Sequence, residues 1–340
     1  MSLSRPEIAK SLRSIEPIVH RFAGVECDFS LAPYPGGFCT QKYLITTKSR
    51  KLLLRELAPA ITCERAEFLA LSQDWQSRRG HAPRLIRTRH GGFVHNCGSV
   101  FYLLSEFLPG ICHPVTGFPS ASDHTFGAFL GELHVRYGSM PTCATGAIHL
   151  RIPEEPLRKL VRLRMLHDEV ARDEVVISIL DDKIRWLQAL EHTDLERLTC
   201  LPRQVIHGDY YAENVVFSAT GRIIGAIDFD QSCLFYRCYE VLRGIMRMLL
   251  YSDEVKRILR LRDYLRGYKK TGSLSGEEVT YMLELYHFIL LADVLGLEPR
   301  KNRGSDSVSL RDFVVYRWRL LRWIQAYYSV IQSTIYEVFG

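Results

Sequence analysis

Residues 205–230 read VIHGDYYAENVVFSATGRIIGAIDFD. The apolar pair Val205-Ile206 leads into His207-Gly208-Asp209, and Asn214 follows after four residues to complete a His-x-Asp-x4-Asn cluster. A second apolar run, Val215 to Phe217, turns at Ala219-Thr220-Gly221 into a third, Arg222 to Ile227, which ends on Asp228-Phe229-Asp230. Short apolar runs separated by turn residues predict strands. Their tips then bring Asp209, Asn214 and Asp228 to one face of a cleft. One carboxylate and one amide beside a second carboxylate make an oxygen donor set suited to Mg2+, which shares its coordination with waters and substrate phosphates. A separate carboxylate near an acceptor can orient a hydroxyl and take its proton as it attacks a γ-phosphate. Asx residues also cap turns, but capping does not account for the Asp-Phe element downstream.

Upstream, the apolar residues Ile8, Leu12, Ile15, Ile18 and Val19 recur at helical spacing and predict an amphipathic helix over Pro6 to Phe22. Extended segments then flank the turn YPGGFCT, with strands expected over Lys42 to Thr47 and Lys51 to Leu57. Gly36 and Gly37 in that turn let a backbone approach a phosphate closely. Arg55 lies within the apolar strand KLLLREL, where a long cation needs a partner. The helix predicted over Cys63 to Trp75 offers Glu64 and Glu67. Strands are expected again in RLIRTR (84–89), FVH (93–95) and SVFYLLSEFL (99–108). A small antiparallel sheet with one helix therefore closes near Glu106 to Gly110. Beyond it the pattern turns helical: Asp123 to Tyr137, Glu154 to Leu166, Val170 to Leu190, Glu277 to Leu297 and Leu310 to Phe339, with loops at Thr271 to Gly276 and Arg300 to Ser307.

The length allows two modest domains or two lobes around a cleft, each with a core of its own. The 340 residues are 47% hydrophobic and 24% charged, with a formal charge of +6. No basic run interleaved with aromatics stands out, which argues against nucleic acid. No apolar run reaches membrane-spanning length, and the N-terminus lacks the apolar core of a signal peptide. Nine scattered cysteines without a Cys-x-x-Cys pair suggest neither a disulfide framework nor a zinc site, and fit reduced thiols in the cytoplasm.

HGDYYAENVVF and IDFD resemble the catalytic loop and metal-binding segment of the aminoglycoside phosphotransferase, choline kinase and type II homoserine kinase superfamily. YPGGFCTQKYLI is similar to its nucleotide loop, LLLREL to its cation-bearing strand and FGAFLGELH to its first helix after the hinge. The resemblance covers about Pro33 to Glu240. It implies an α+β, bilobal protein-kinase-like fold. Residues 1–107 form the nucleotide-binding lobe, a small antiparallel sheet with one main helix. Residues 108–340 form a larger, mainly helical lobe with the catalytic loop, metal segment and acceptor site. ATP and Mg2+ are the implied cofactors. Asp209 is the implied catalytic base or hydroxyl-orienting residue, and Asn214 with Asp228 is implied to hold Mg2+. Gly36 and Gly37 cover the phosphates, Arg55 touches them with Glu67 as its ion-pair partner, and the backbone of Ser105, Glu106, Phe107 and Leu108 meets adenine. His207 is structural.

Two positions depart from the protein-kinase pattern. Arg55 stands where lysine is common, and a planar guanidinium is not equivalent to an ammonium. Asp230 stands where glycine is usual, as it does in homoserine-kinase-like and spore-coat-like branches. No Ala-Pro-Glu follows, which disfavours a protein substrate. The expected acceptor is a hydroxyl on a small molecule: an amino alcohol, a homoserine-like metabolite or an aminoglycoside-type antibiotic. Its candidate contacts are Tyr210, Tyr211, Glu213, Asp230, Gln231, Tyr236 and Glu240. From Val241 onward the chain holds 16 Lys and Arg against 11 Asp and Glu, which weakly disfavours a strongly cationic acceptor. The alternative is a non-catalytic kinase-fold binding or assembly protein of the spore-coat type, which has no physical need for all of Asp209, Asn214 and Asp228.

Overall fold

A computed structural model of the chain describes residues 5–35, 41–58, 61–141, 146–150, 152–168, 173–190, 195–298 and 306–340. In chain order the helices are α1 (Arg5–Val19), α2 (Cys63–Ser77), α3 (Asp123–Gly138), α4 (Pro156–Leu166), α5 (Glu174–Ala189), α6 (Leu195–Cys200), α7 (Arg237–Leu250), α8 (Glu254–Thr271), α9 (Gly276–Ala292) and α10 (Asp306–Phe339). The strands are β1 (Phe29–Pro33), β2 (Lys42–Thr47), β3 (Lys51–Glu56), β4 (Val94–Cys97), β5 (Val100–Glu106), β6 (Ile111–Cys112), β7 (Arg203–Ile206), β8 (Val215–Phe217), β9 (Ile223–Ala226) and β10 (Cys233–Tyr236). The α+β class expected from the sequence is thus observed.

Chain packing separates two compact units. The first gathers Met1–Pro114, Glu132–His149 and Gln204–Phe235; the second gathers Val115–Gly131, Leu150–Arg203 and Tyr236–Gly340.

The first unit is built on a five-stranded antiparallel sheet in the order β1-β2-β3-β5-β4. Strand residues alternate between faces. Tyr43 and Ile45 of β2 and Leu52 and Leu54 of β3 therefore share one face, where they pack with Ile15, Ile18 and Val19 of α1, Phe22, Tyr102 and Leu104. The other face of the same strands carries Lys42 and Arg55, and Arg55 bonds to Gln73 of α2. Two small sheets follow, β6-β8-β9 and β10-β7, and these support the loops read first in the sequence.

One expected strand is absent. Residues 84–89 pair only through isolated bridges, Leu85 with Ser105 and Phe22 with Thr88. Their backbone is divided between neighbours: Ile86 N–H donates to Leu104 O, while Arg87 O accepts from Ala23 N–H. Such alternation satisfies the chain without a continuous ladder.

The second unit is helical. Its buried residues include Val241, Ile245 and Leu249 of α7, Leu261, Tyr264 and Tyr268 of α8, Met282 and Leu283 of α9, and Leu320, Ile324 and Ile331 of α10. α7 and α8 were not expected from the sequence, because frequent arginines mask a helical apolar stripe; in α8 the stripe is Leu261, Tyr264, Leu265 and Tyr268. A Cβ on Gly127 of α3 would lie 2.0 Å from Tyr264 O, so only glycine allows this backbone approach. The helix expected to reach Leu297 stops at Ala292, where the buried Lys183 ammonium donates to the carbonyls of Leu290, Leu291 and Asp293. No described helix is long and apolar enough to cross a membrane.

Candidate active site

All residues of the central cluster lie in the first unit. β7 ends at Ile206 and delivers His207, which is fully buried. Its Nε2 meets Ile227 O at 3.0 Å, and Asp209 N–H donates to its Nδ1 at 3.3 Å. A carbonyl can only accept, so the ring carries its hydrogen on Nε2 and keeps a lone pair on Nδ1. His207 therefore ties the start of the 207–214 loop to the residue before Asp228. Gly208 has φ +79°, and a Cβ there would lie 2.0 Å from Gln231 O. Any other residue would push the loop away from the 229–231 turn.

Asn214 is held just as closely. Its Nδ2 donates to Asp209 Oδ2 at 2.9 Å and to Asp209 O at 2.8 Å. That orientation leaves the amide oxygen as the atom suited to a cation. Asn214 O in turn accepts from Ile227 N–H at 2.9 Å. With both backbone groups of Ile227 engaged, Asp228 is held at φ 65°, ψ 63°, a left-handed conformation uncommon for a non-glycine residue. Burial pushes the Asp228 carboxyl up, but the neighbouring charges of Lys42 and Arg55, a hydrogen bond from Lys42 and the proximity of His207 hold it below its ordinary value. Asn214 is thus tied to Asp209 by its side chain and to the residue before Asp228 by its backbone.

A divalent cation fits this donor set. Asp228 supplies a carboxylate and Asn214 an amide oxygen, while the described residues contain no group of three or more His, Cys, Asp and Glu that would form an all-protein cage. Two side chains with open positions suit an ion that also binds phosphate oxygens.

The cations stand differently from expectation. Arg55 Nη1 pairs with Asp230 Oδ1 at 2.9 Å and Nη2 donates to Gln73 Oε1 at 2.7 Å. Glu67, expected as its partner, is exposed and lies instead against Cys63 Sγ at 4.0 Å; Glu64 is exposed as well. On α2 these glutamates share the outer face, whereas Gln73, six residues beyond Glu67, lies on the buried one. A neutral amide serves because Asp230 already supplies the charge. Asp230, expected near the acceptor, is thus committed to Arg55. Arg65 of α2 reinforces the arrangement by donating to Ser232 O at 2.6 Å and Asp230 O at 3.1 Å. Lys42, not singled out in the sequence, bridges to Asp228 Oδ2 at 3.1 Å. The signal that could have revealed it is register, since Lys42 sits directly opposite Arg55.

The remaining candidates divide clearly. Gly36 and Gly37 lie outside the described residues. Ser105 is buried at the end of β5, and the N–H groups of Glu106 and Phe107 already donate to Arg84 O and Lys51 O. Leu108 Cδ1 lies against Gly225. Tyr210, Tyr236 and Glu240 are fully buried, which removes them as direct acceptor contacts. Tyr236 Oη is instead bonded with Arg203 and Thr199 O. Tyr211 and Glu213 are half-buried and Gln231 is exposed, so these three keep surface to offer.

Two cations on a sheet facing two carboxylates of one loop are the kind of charge arrangement that handling a phosphate chain with a metal ion asks of a protein. The chain belongs to the phosphotransferase enzyme family, whose model matches residues 30–278. It is 24% identical over 245 residues to a homoserine kinase of Caulobacter vibrioides, covering 70% of this chain and 72% of that one. A homoserine kinase of Phenylobacterium zucineum is 25% identical over 260 residues, 74% of each chain. Among solved structures, an amicoumacin kinase in complex with AMP-PNP, Ca2+ and Ami superposes with a TM-score of 0.62 at 15% identity, over 93% of this chain and 96% of that one. A microcompartment-associated aminopropanol kinase gives 0.61 at 13% identity, over 94% and 98%. A spectinomycin phosphotransferase in complex with ADP and spectinomycin gives 0.60 at 14%, over 91% and 98%. The fold is therefore the protein-kinase-like one.

Proposed function

We propose that the protein transfers the γ-phosphoryl group of ATP to a hydroxyl of a small molecule, and that the acceptor is a compact amino alcohol or homoserine-like metabolite. The observation that carries this reading is that Asn214 is bonded through its side chain to Asp209 and through its carbonyl to Ile227, the residue before Asp228, all within one packed unit. Asp209 accepts the hydroxyl proton as the acceptor oxygen bonds to phosphorus; the bond from the γ-phosphorus to its bridging oxygen breaks, and ADP leaves. Asn214 Oδ1 and Asp228 would hold Mg2+, which when bound neutralises charge on the phosphates. Leu108 and the carbonyls of the 105–108 segment are the adenine contacts in this reading, and Gly36 and Gly37 cover the phosphates. In function, 1–107 is the nucleotide lobe and 108–340 carries the catalytic loop and acceptor site, a division that cuts across the packing units. The homoserine kinase relatives and the mildly basic C-terminal hundred residues favour a compact acceptor over a polycationic antibiotic. Free thiols at Cys27, Cys63, Cys97, Cys112, Cys200, Cys233 and Cys238 support a cytoplasmic setting.

The test is ADP release in the presence of Mg2+ against homoserine, aminopropanol, ethanolamine, choline and a set of aminoglycosides. We expect turnover with one of the small acceptors and its loss in Asp209→Asn. Nucleotide binding without acceptor-dependent ADP release above the Asp209→Asn level, across the whole set, overturns the reading.

A further inference from the structure

Lys42 and Arg55 face each other across β2 and β3 on the same side of the sheet. Like charges directly opposite one another destabilise a sheet pair. Each is offset by one carboxylate of Asp228-Phe229-Asp230: Lys42 Nζ meets Asp228 Oδ2 at 3.1 Å, and Arg55 Nη1 meets Asp230 Oδ1 at 2.9 Å. The two pairs are not equivalent. Arg55 is only 4% exposed, and its second terminal nitrogen is held by Gln73, whose own Nε2 is fixed to Pro83 O at 2.9 Å. A guanidinium anchored at both ends has little freedom to follow a ligand. Lys42 ends in a compact ammonium on a flexible stem, and the side chain it reaches, Asp228, is the more exposed carboxylate, 29% against 16% for Asp230.

Asp228 is also the carboxylate assigned to the metal, and the inference rests on that reading. An ammonium and a divalent cation repel each other on one carboxylate oxygen. We propose that Lys42, not Arg55, is the phosphate-contacting cation of this protein. Without nucleotide it holds the metal's place on Asp228, and when metal and nucleotide arrive together it moves from the carboxylate to the phosphate oxygens. Arg55 is a positioning residue that fixes Asp230, and through it the turn after Asp228. The arrangement disfavours bare metal ion and favours the metal–nucleotide complex, since only the second offers Lys42 a new anionic partner.

The test is titration of the full-length protein with Mn2+ alone and with Mn2+ plus ADP. The ion is followed by electron paramagnetic resonance and the nucleotide by calorimetry. In Lys42→Met we expect bare Mn2+ to bind about tenfold more tightly and ADP in the presence of Mn2+ about tenfold more weakly, the scale of one charge-assisted contact. Lys42→Arg restores much of the nucleotide affinity. Opposite shifts of the two ligands are not produced by partial unfolding, which weakens both. If the wild type binds ADP with Mn2+ but Lys42→Met changes neither ligand, or weakens both, the role of Lys42 is overturned while the site reading stands. If the wild type binds no nucleotide with Mn2+, both fall.

Discussion

Both units hold cation–carboxylate pairs, and they differ in how far the carboxylate is sealed from solvent. In the helical unit, Arg237 clamps Glu278 through Nε and Nη2, each at 2.7 Å, and the Glu278 side chain has no exposure. Glu278 also accepts from Ser275 N–H at 2.8 Å in a capping box that starts α9. Arg260 holds Asp123 in the same way, at 2.8 and 2.9 Å, with the carboxylate nearly sealed. Every oxygen there is committed. In the sheet unit the Asp228 carboxylate remains partly open and has one flexible partner, Lys42. A sealed pair fixes a helix; an open one can exchange its partner for a ligand.

The comparison breaks most visibly at Asp209. Asp209→Asn keeps the shape of the loop, so we expect a fall in kcat of about a hundredfold to ten-thousandfold with the urea midpoint almost unmoved. A loss of stability matching the loss of rate would put Asp209 on the structural side. The reverse is expected at the sealed pair. Arg237→Met leaves Glu278 buried without its cation and should remove about 3–5 kcal/mol of unfolding free energy. A variant as stable as the wild type in urea would show that the α9 cap alone suffices.

A third test uses acidity. His287 of α9 is buried, its Nε2 has no hydrogen-bond partner among the described residues, and burial pushes its pKa from 6.5 down to about 4. Between those values the unfolded chain binds a proton that the folded chain refuses. Stability therefore falls as pH drops from about 6.5 towards 4, by about 3 kcal/mol in all. His287→Phe should flatten that part of the stability profile, and an unchanged slope would assign it elsewhere. The smallest effect is expected at Lys48 and Asp28, an exposed pair at 3.2 Å. Lys48→Ala should shift the unfolding free energy by no more than about 1 kcal/mol, which sets the baseline for the other three.

Legibility followed the same division. β2, β3 and the three strands around the 207–214 loop were readable because their apolar runs end at turn residues, and Asp209, Asn214 and Asp228 lie close enough in sequence for strand geometry to place them near one another. The partner of Arg55 was not readable. A helix facing a strand offered Glu64 and Glu67 on sequence grounds, but the orientation of α2 turns both outward and places Gln73 inside, while the neutralising charge comes from Asp230, 175 residues away. The helices α7 and α8 were missed because their arginines read as a solvated face, although residues such as Arg237 and Arg260 are paired with buried carboxylates from other elements. Tyr210, Tyr236 and Glu240 looked available because they lie beside the motif, yet they are fully covered.

By itself the sequence determined the family and the donor set, because Asp209, Asn214 and Asp228 are spaced by local loop geometry that short-range sterics and hydrogen bonding impose. Only the tertiary structure decided which cation answers which carboxylate. Lys42 and Arg55 are 13 residues apart on neighbouring strands, and their assignment to Asp228 and Asp230 depends on cross-strand register and on the turn of α2. Such pairings are set by packing between distant segments, and no local pattern encodes them.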